Sequence, residues 1–322
     1  MKNFSKIVFS LIIVLALLLS CSGGSSDKSS KQRNFLQIKT SGIGGTWHAC
    51  GAAWAKIITE NSNFIAVNST SPGLEFETMQ KLRDGTVQLG FSGTSTAYFG
   101  RIGGKVWADP IDIVALFATQ PGIFNVVALD LPGINSLSDL KGKTICTYTE
   151  GNYWGDMAIQ LLELHDVTQE NSRIMRIMKN DSARMLSDGQ VDAIFHKYGY
   201  GHGTLKQLAT ARKIKFLAAA PDKMAEYLKL NPFFRTVSFG EEFGVANAEQ
   251  LVSNYVAIAH GSLPEDIAYL VVKIWFENKD YLMQTLPNIA PWIPWDNPKE
   301  DVTIPFHPGA IKYFKEVGLW KD

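Results

Sequence analysis

The side chains best placed for chemistry in this sequence are hydrogen-bond donors and aromatic rings. Gly42, Gly44 and Gly45 stand directly before Thr46 and Trp47. Glycine lets a ligand approach the backbone closely. A helix start offers unpaired N–H groups and a partial positive charge. The combination suits an anion. Thr46, Ser92 and Thr94 add hydroxyl donors. Trp47, Tyr153 and Trp154 offer apolar walls, the tryptophans and tyrosine each with one polar edge. Asn152 can donate to a carboxylate, and His196 can donate to an anion or titrate near pH 6.5 when unperturbed. Lys197 is a candidate counter-charge, and Glu150 is expected to face solvent. Each residue also has an ordinary structural role open to it: a tight turn, an N-cap, a hydroxyl bonded to its own backbone, helix-start packing, a satisfied buried histidine or a solvated lysine.

Catalytic and metal chemistry have little to build on. There is no G-x-S-x-G element for a serine nucleophile. Gly42-x-Gly-Gly lacks both the phosphate-loop and the dinucleotide-loop patterns. His196 and His202 are six residues apart, and Cys50 and Cys146 are far from each other, so no metal-ligand spacing is present. The expectation is a binding protein without catalytic residues, metal or cofactor.

The elements that must position these residues follow a repeated plan. Phe35–Lys39 alternates as a strand, runs into the glycine-rich loop, and is followed by a helix over about 47–59. Thr40, Ser41 and Thr46 are the candidate caps. Lys143–Thr147 reads as a second such strand, with a loop over Tyr148–Gly155 and a helix to about His165. A closer echo links Leu82, Asp84, Gly85, Val87 and Phe91 to Leu186, Asp188, Gly189, Val191 and Phe195, each pair 104 residues apart. Each segment predicts a helix ended by a left-handed glycine and followed by a strand. Strand and helix in alternation imply mostly parallel sheets covered on both faces. Two similar α/β lobes are expected, with a ligand beyond the carboxyl ends of their strands. Residues 42–47, 92–95, 148–154 and 196–200 should then converge.

The start of the chain reads as a leader. Lys2 and Lys6 precede an apolar run from Ile7 to Leu19, 13 residues interrupted only by Ser10. A spanning helix needs roughly 20 apolar residues, so the run fits a secretory signal better than an anchor. Leu18-Leu19-Ser20-Cys21 looks like a bacterial lipoprotein cleavage site, which implies a lipid on Cys21. Residues 22–31 are small and polar, the composition of a tether. Residues 1–20 are therefore expected to be a signal peptide and 21–33 a lipidated leash, the folded part beginning near Asn34. The 322 residues carry 31 basic and 31 acidic side chains; loss of Lys2 and Lys6 with the leader leaves 29 against 31, a charge of −2. Nothing in that balance calls for nucleic acid. With Cys21 assigned to a lipid, Cys50 and Cys146 are expected as free or buried thiols. The expected location is extracytoplasmic, with the membrane reached through the lipid only.

Several stretches together resemble one family. IGGTWHACGAAWAKII, LRDGTVQLGFSGTSTAYFG, LFATQPGIFNVVALDLPGINSLSDLKGKTI, LSDGQVDAIFH, LPEDIAYLVVKIWFEN and IPFHPGAIKYFKEVGL occur in the family's order over nearly all of 34–319. They resemble the TAXI solute receptors of tripartite ATP-independent periplasmic (TRAP) transporters. The Gly-Gly-Thr-aromatic start at 44–47 and the His-Pro-Gly-Ala ending at 307–310 are the more specific marks.

The resemblance implies an α/β, two-lobed, type II-like solute-binding protein whose cleft lies between lobes joined by crossing strands. It implies a first lobe of about 34–126 plus 258–322, a second of about 127–257, and crossing strands at 124–129 and 255–259. It further implies a small, carboxylate-bearing, glutamate-like solute and a TRAP membrane permease as partner. The loop Tyr148–Trp154 and the strand end His196–Tyr200 are more aromatic than is usual for the family. This argues for a differently shaped ligand. A ligand sensor serving a signalling partner, a surface adhesin, and a thiamine-precursor-type enzyme on the same fold are the alternatives.

Overall fold

The computed structural model describes residues 34–40, 46–70, 75–104, 107–150, 152–200 and 202–320. The leader, Cys21 and the tether lie outside them, as do Gly42, Gly44 and Gly45. Ten strands form one hydrogen-bonded sheet: β1 (Asn34–Thr40), β2 (Phe64–Thr70), β3 (Leu89–Gly93), β4 (Ile113–Leu129), β5 (Thr144–Thr147), β6 (Arg173–Arg176), β7 (Ala193–Tyr198), β8 (Ile214–Phe216), β9 (Arg235–Phe239) and β10 (Ala248–His260). Its main path runs β2-β1-β3-β10-β4-β7-β5-β6, with β8 on β4 and β9 on β10. The helices described are α1 (Thr46–Asn61), α2 (Glu75–Arg83), α3 (Thr94–Ile102), α4 (Tyr153–Glu163), α5 (Lys179–Ser187), α6 (Gly203–Ala211), α7 (Pro221–Leu230), α8 (Glu265–Glu277), α9 (Lys279–Thr285) and α10 (Pro308–Glu316). Among the described residues, no helix is long and apolar enough to cross a membrane.

The echo in the sequence is an echo in the sheet. Strand β1 pairs in parallel with β2 and β3, and β3 meets antiparallel β10. In the same way β5 pairs in parallel with β6 and β7, and β7 meets antiparallel β4. The matched glycines turn alike: Gly85 has φ 69° and Gly189 has φ 72°. Each donates to the carbonyl three residues earlier, Leu82 at 3.0 Å and Leu186 at 3.1 Å. A left-handed residue ends each helix here because it lets the chain double back into a strand while satisfying a terminal carbonyl.

Two strands serve both halves of the sheet. Ile113–Ala118 of β4 pairs with Val256–His260 of β10 beside β3. Pro121–Phe124 pairs with Leu251–Asn254 beside β7. The register slips between Asn254 and Val256, so Tyr255 forms a bulge opposite Thr119 and Gln120. Pro121 is tolerated at this irregular point, where a missing N–H costs little. The residues expected to cross, 124–129 and 255–259, lie on these strands; the passage itself is at Gln120–Gly122 and Asn254–Tyr255.

Each half is covered on both faces, as a doubly wound sheet must be. In the first half Trp54 of α1 is fully buried against Phe91 at 5.5 Å, Phe117 at 5.2 Å and Trp275 of α8 at 5.8 Å. Its indole N–H donates to the Val271 carbonyl at 3.1 Å, so the ring's one polar atom is satisfied. The other face packs Met79, Leu82 and Ala97 against Ile113 and Ile258. In the second half Phe124, Phe195, Trp154 and Phe234 fill one face, and Ile123, Ile194, Leu205 and Phe216 the other. Cys50 and Cys146 are free, fully buried thiols in different clusters. Burial pushes the Cys50 thiol up to about 12 and raises that of Cys146, so both are poor nucleophiles.

The two matched glycines give a direct test of the repeat. A Cβ at Gly85 meets nothing within 4 Å, and one at Gly189 meets only the tip of Arg212 at 3.9 Å. Alanine at either therefore pays only the left-handed backbone strain, about 1–2 kcal/mol. Gly85→Ala and Gly189→Ala should each lower stability by that amount and by similar amounts. Urea unfolding of the two variants checks this; a neutral result at either position would show that its glycine is not required by conformation.

Candidate functional site

The strand ends of both halves meet beside the crossing point. A cavity of about 510 Å³ opens there. Thr46 and Ala49 of α1 line it from the first half, and Gln120, Pro121 and Tyr255 from the crossing strands. Lys197, Gly199, Tyr200 and His202 line it from the end of β7 and the start of α6, and Lys179 from the start of α5. Trp292, 41% exposed, closes the far side. Its ring stacks on Tyr200 at 3.9 Å and 10°.

Local sequence explains each position. Helices α4 and α6 begin where Asn152 and His202 accept from the backbone N–H two residues on, at 3.0 Å and 3.3 Å. Such caps fix where the loop after β5 or β7 becomes helix. Alternation along β7 then sends Phe195 and Lys197 to one face and His196 and Tyr198 to the other. Lys197, only 3% exposed, lies between two aromatic rings, its ammonium 4.1 Å from Trp154 and 4.2 Å from Tyr255. It also donates to the Ser253 hydroxyl at 3.1 Å. Tyr255 in turn takes the edge of Trp47 at 4.9 Å. Trp154, Lys197, Tyr255 and Trp47 thus form a continuous row from α4 to α1.

The residues singled out in the sequence divide by position. Thr46, exposed at the start of α1, lines the cavity, and so does Lys197. Trp47 and Trp154 stand behind that lining in the aromatic row. Tyr153 is buried against Phe99 of α3 at 5.0 Å. Asn152 spends its carbonyl oxygen on the Trp154 N–H. Ser92 is fully buried and donates to the Gly93 carbonyl at 3.1 Å. Thr94, 1% exposed, has a hydroxyl with no partner, and so does its neighbour Ser95. His196 is fully buried on the face away from Lys197, with Nε2 2.9 Å from the Ser182 hydroxyl. Glu150 is exposed.

Burial and mutual repulsion set the electrostatics. Burial lowers Lys179 to about 8. His196 falls to about 3 and His202 to about 4, in each case through burial and then the charge of Lys179. Both imidazoles are therefore neutral at pH 7, and the charge of this region rests on lysines. Among the described residues, no group of three His, Cys, Asp or Glu is placed to hold a metal ion.

Sequence reading missed Lys179, Gln120, Tyr255 and Trp292. Gln120 had a signal: it is one of three polar residues in the apolar run of β4, with Thr119 and Asn125, and the one next to Pro121 and Gly122. Both its amide atoms are buried without a partner. Lys179 had none, because a lysine at a helix start normally meets solvent.

The halves also touch outside the cavity. Phe99 of α3 packs on Phe233 at 5.7 Å as well as on Tyr153. Arg235 of β9 pairs with Glu300 at 2.9 Å and Asp301 at 3.0 Å. Both pairs are partly exposed, so they fix geometry more than they stabilise.

The fold is similar to several solved proteins. A TctC solute-binding protein from Polaromonas matches with a TM-score of 0.53 at 13% identity, over 80% of this chain and 90% of that one. The binding-protein component of an ABC phosphonate transporter from Pseudomonas aeruginosa matches with 0.52 at 11%, over 80% and 79%. A protein from Xanthomonas citri solved with ATP bound matches with 0.52 at 10%, over 89% and 97%. At such identities the likeness is one of fold: the two-lobed α/β fold of periplasmic solute-binding proteins. Residues 38–318 match the model of the NMT1-like family, and with nearly the whole folded chain inside that match, the protein belongs to the NMT1-like family.

Proposed function

We propose that the protein is an extracytoplasmic solute receptor of the TAXI type. It captures a small carboxylate-bearing solute between its two lobes and delivers it to a TRAP membrane permease. The observation that carries this reading is the cavity at the strand ends, lined from both halves of a sheet that, among the described residues, β4 and β10 alone cross. Domains joined by two strands can hinge about a few torsions there. The lobes in this reading are 34–126 plus 258–322 and 127–257. Capture uses hydrogen bonds from Gly44, Gly45, Thr46, Thr94 and Asn152, with Trp47 and Trp154 as aromatic walls; Ser92, Tyr153 and His196 keep the structural roles described above. The chemistry is recognition, with no covalent step. Cys21 carries the lipid that holds the chain at the membrane. Membership of the NMT1-like family and the likeness to a TctC solute-binding protein support a transport role.

A ligand that binds only the folded protein raises its stability by mass action, about 2.7 kcal/mol at a hundredfold excess over Kd. A panel of small carboxylates and amino acids should therefore contain members that raise the melting temperature by several degrees. A panel that leaves it unmoved overturns the receptor reading. Trp154→Ala removes one wall of the lysine cage, an interaction worth roughly 1–2 kcal/mol when desolvated. It should weaken binding of an active panel member about tenfold by calorimetry, and unchanged affinity removes Trp154 from the site. Cys21→Ser should release the protein from the membrane fraction on cell fractionation; retention there overturns the lipid anchor.

A further inference from the structure

One end of the cavity gathers more donors than the His202 imidazole can accept from. The Lys179 ammonium lies 3.4 Å from His202 Nε2, while the Thr204 N–H approaches His202 Nδ1 at 3.3 Å. A neutral imidazole has one acceptor nitrogen, so it cannot serve both donors. The start of α6 also lines the cavity, and the first turn of a helix carries N–H groups without intrahelical partners. Gln120 faces this cavity from β4 only 6% exposed, with neither amide atom partnered. A buried unsatisfied N–H costs about 1–3 kcal/mol, a cost that a bound acceptor removes, while the Gln120 carbonyl oxygen is left for a hydroxyl donor. Among the described residues lining the cavity there is no aspartate or glutamate.

We propose that Lys179, the start of α6 and Gln120 form an oxyanion pocket, and that the solute is an organic acid without an ammonium group. The proposal rests on the receptor reading above and narrows its ligand class. An anionic headgroup accepts from Lys179, from the α6 backbone and from the Gln120 amide. It also frees His202 from competition between two donors. An amino acid would bring an ammonium into a cavity already lined by the Lys179 and Lys197 ammoniums. The described lining offers no carboxylate, and the cage of Trp154 and Tyr255 already holds Lys197. The stacked Tyr200 and Trp292 leave an apolar wall for the body of the acid.

The test is calorimetry with two matched pairs: glutarate against L-glutamate, and 3-phenylpropionate against L-phenylalanine. In at least one pair the amine-free acid should bind tenfold tighter or better. Lys179→Met should weaken that acid at least tenfold, and Lys179→Arg should restore most of the loss. Melting curves confirm that both variants are folded. A pH series separates charge from packing. Lys179 titrates at about 8 in the empty protein, so affinity should fall about tenfold between pH 7 and 9 as the ammonium is lost. The groups facing it are His202, His196 and Tyr198, with Lys197 also on the cavity. The two histidines are lowered and Tyr198 is raised, so these three stay neutral across that range. The fall should be absent in Lys179→Met. Equal or tighter binding of the amino acid, or a Lys179→Met protein with native affinity, overturns the inference and leaves the receptor reading standing. No binding by any of the four overturns it too, and the wider melting panel then decides the receptor reading separately.

Discussion

The structure depends on two backbones passing between the halves of one sheet. β4 and β10 pair with each other over most of their length, and each also borders the parallel strands of one half. A continuous ladder would make a stiff plate. The slip at Tyr255 and the Pro121-Gly122 step interrupt it where the two halves meet, and a second slip between Ala257 and Ile258 follows beside β3. Gly122 shows how tight the meeting of the halves is. A Cβ there would lie 2.1 Å from Cε of Lys197 and 2.7 Å from the Tyr255 ring. The absence of a side chain is what lets the lysine and the tyrosine lie across the strand.

That close approach explains how a lysine can be buried at the centre of the molecule. Desolvating an ammonium is costly unless other groups replace its water. For Lys197 the replacement is two ring faces and the Ser253 hydroxyl. The rings come from α4 and from the crossing strand, so its environment exists only when the second half is set against β10. Lys179 has a less complete environment, a ring at 5.2 Å and a neutral imidazole, and its lowered pKa follows. Positive charge held in this way creates an attractive field in the cavity without any net charge on the protein. A neutral protein and a cavity with lysines on its wall are therefore compatible.

Much of the fold was legible before the structure. The strand at 35–39 and the helix at 47–59 appear as Asn34–Thr40 and Thr46–Asn61, because alternation and helical periodicity survive burial. Gly85 and Gly189 were readable as left-handed turns, since few other residues tolerate that conformation between a helix and a strand. The cavity was far less legible. Thr46 and Lys197 were named and line it, whereas Lys179, Gln120, Tyr255 and Trp292 were not. They come from four separate parts of the chain and share no spacing.

Sequence alone determined the class of fold and its internal repeat, because both rest on local patterns that each segment carries by itself. It also narrowed the candidates to donors and rings, since residue type fixes what a side chain can offer. Tertiary structure decided which donors share a space. Strand alternation turned His196 into the core beside Ser182 and sent its neighbour Lys197 to the cavity, a choice set by the register of β7 on β4. It also brought the start of α5, the start of α6 and the middle of β4 around one volume. Such convergence is a property of how the sheet is threaded, and no segment of the sequence records it.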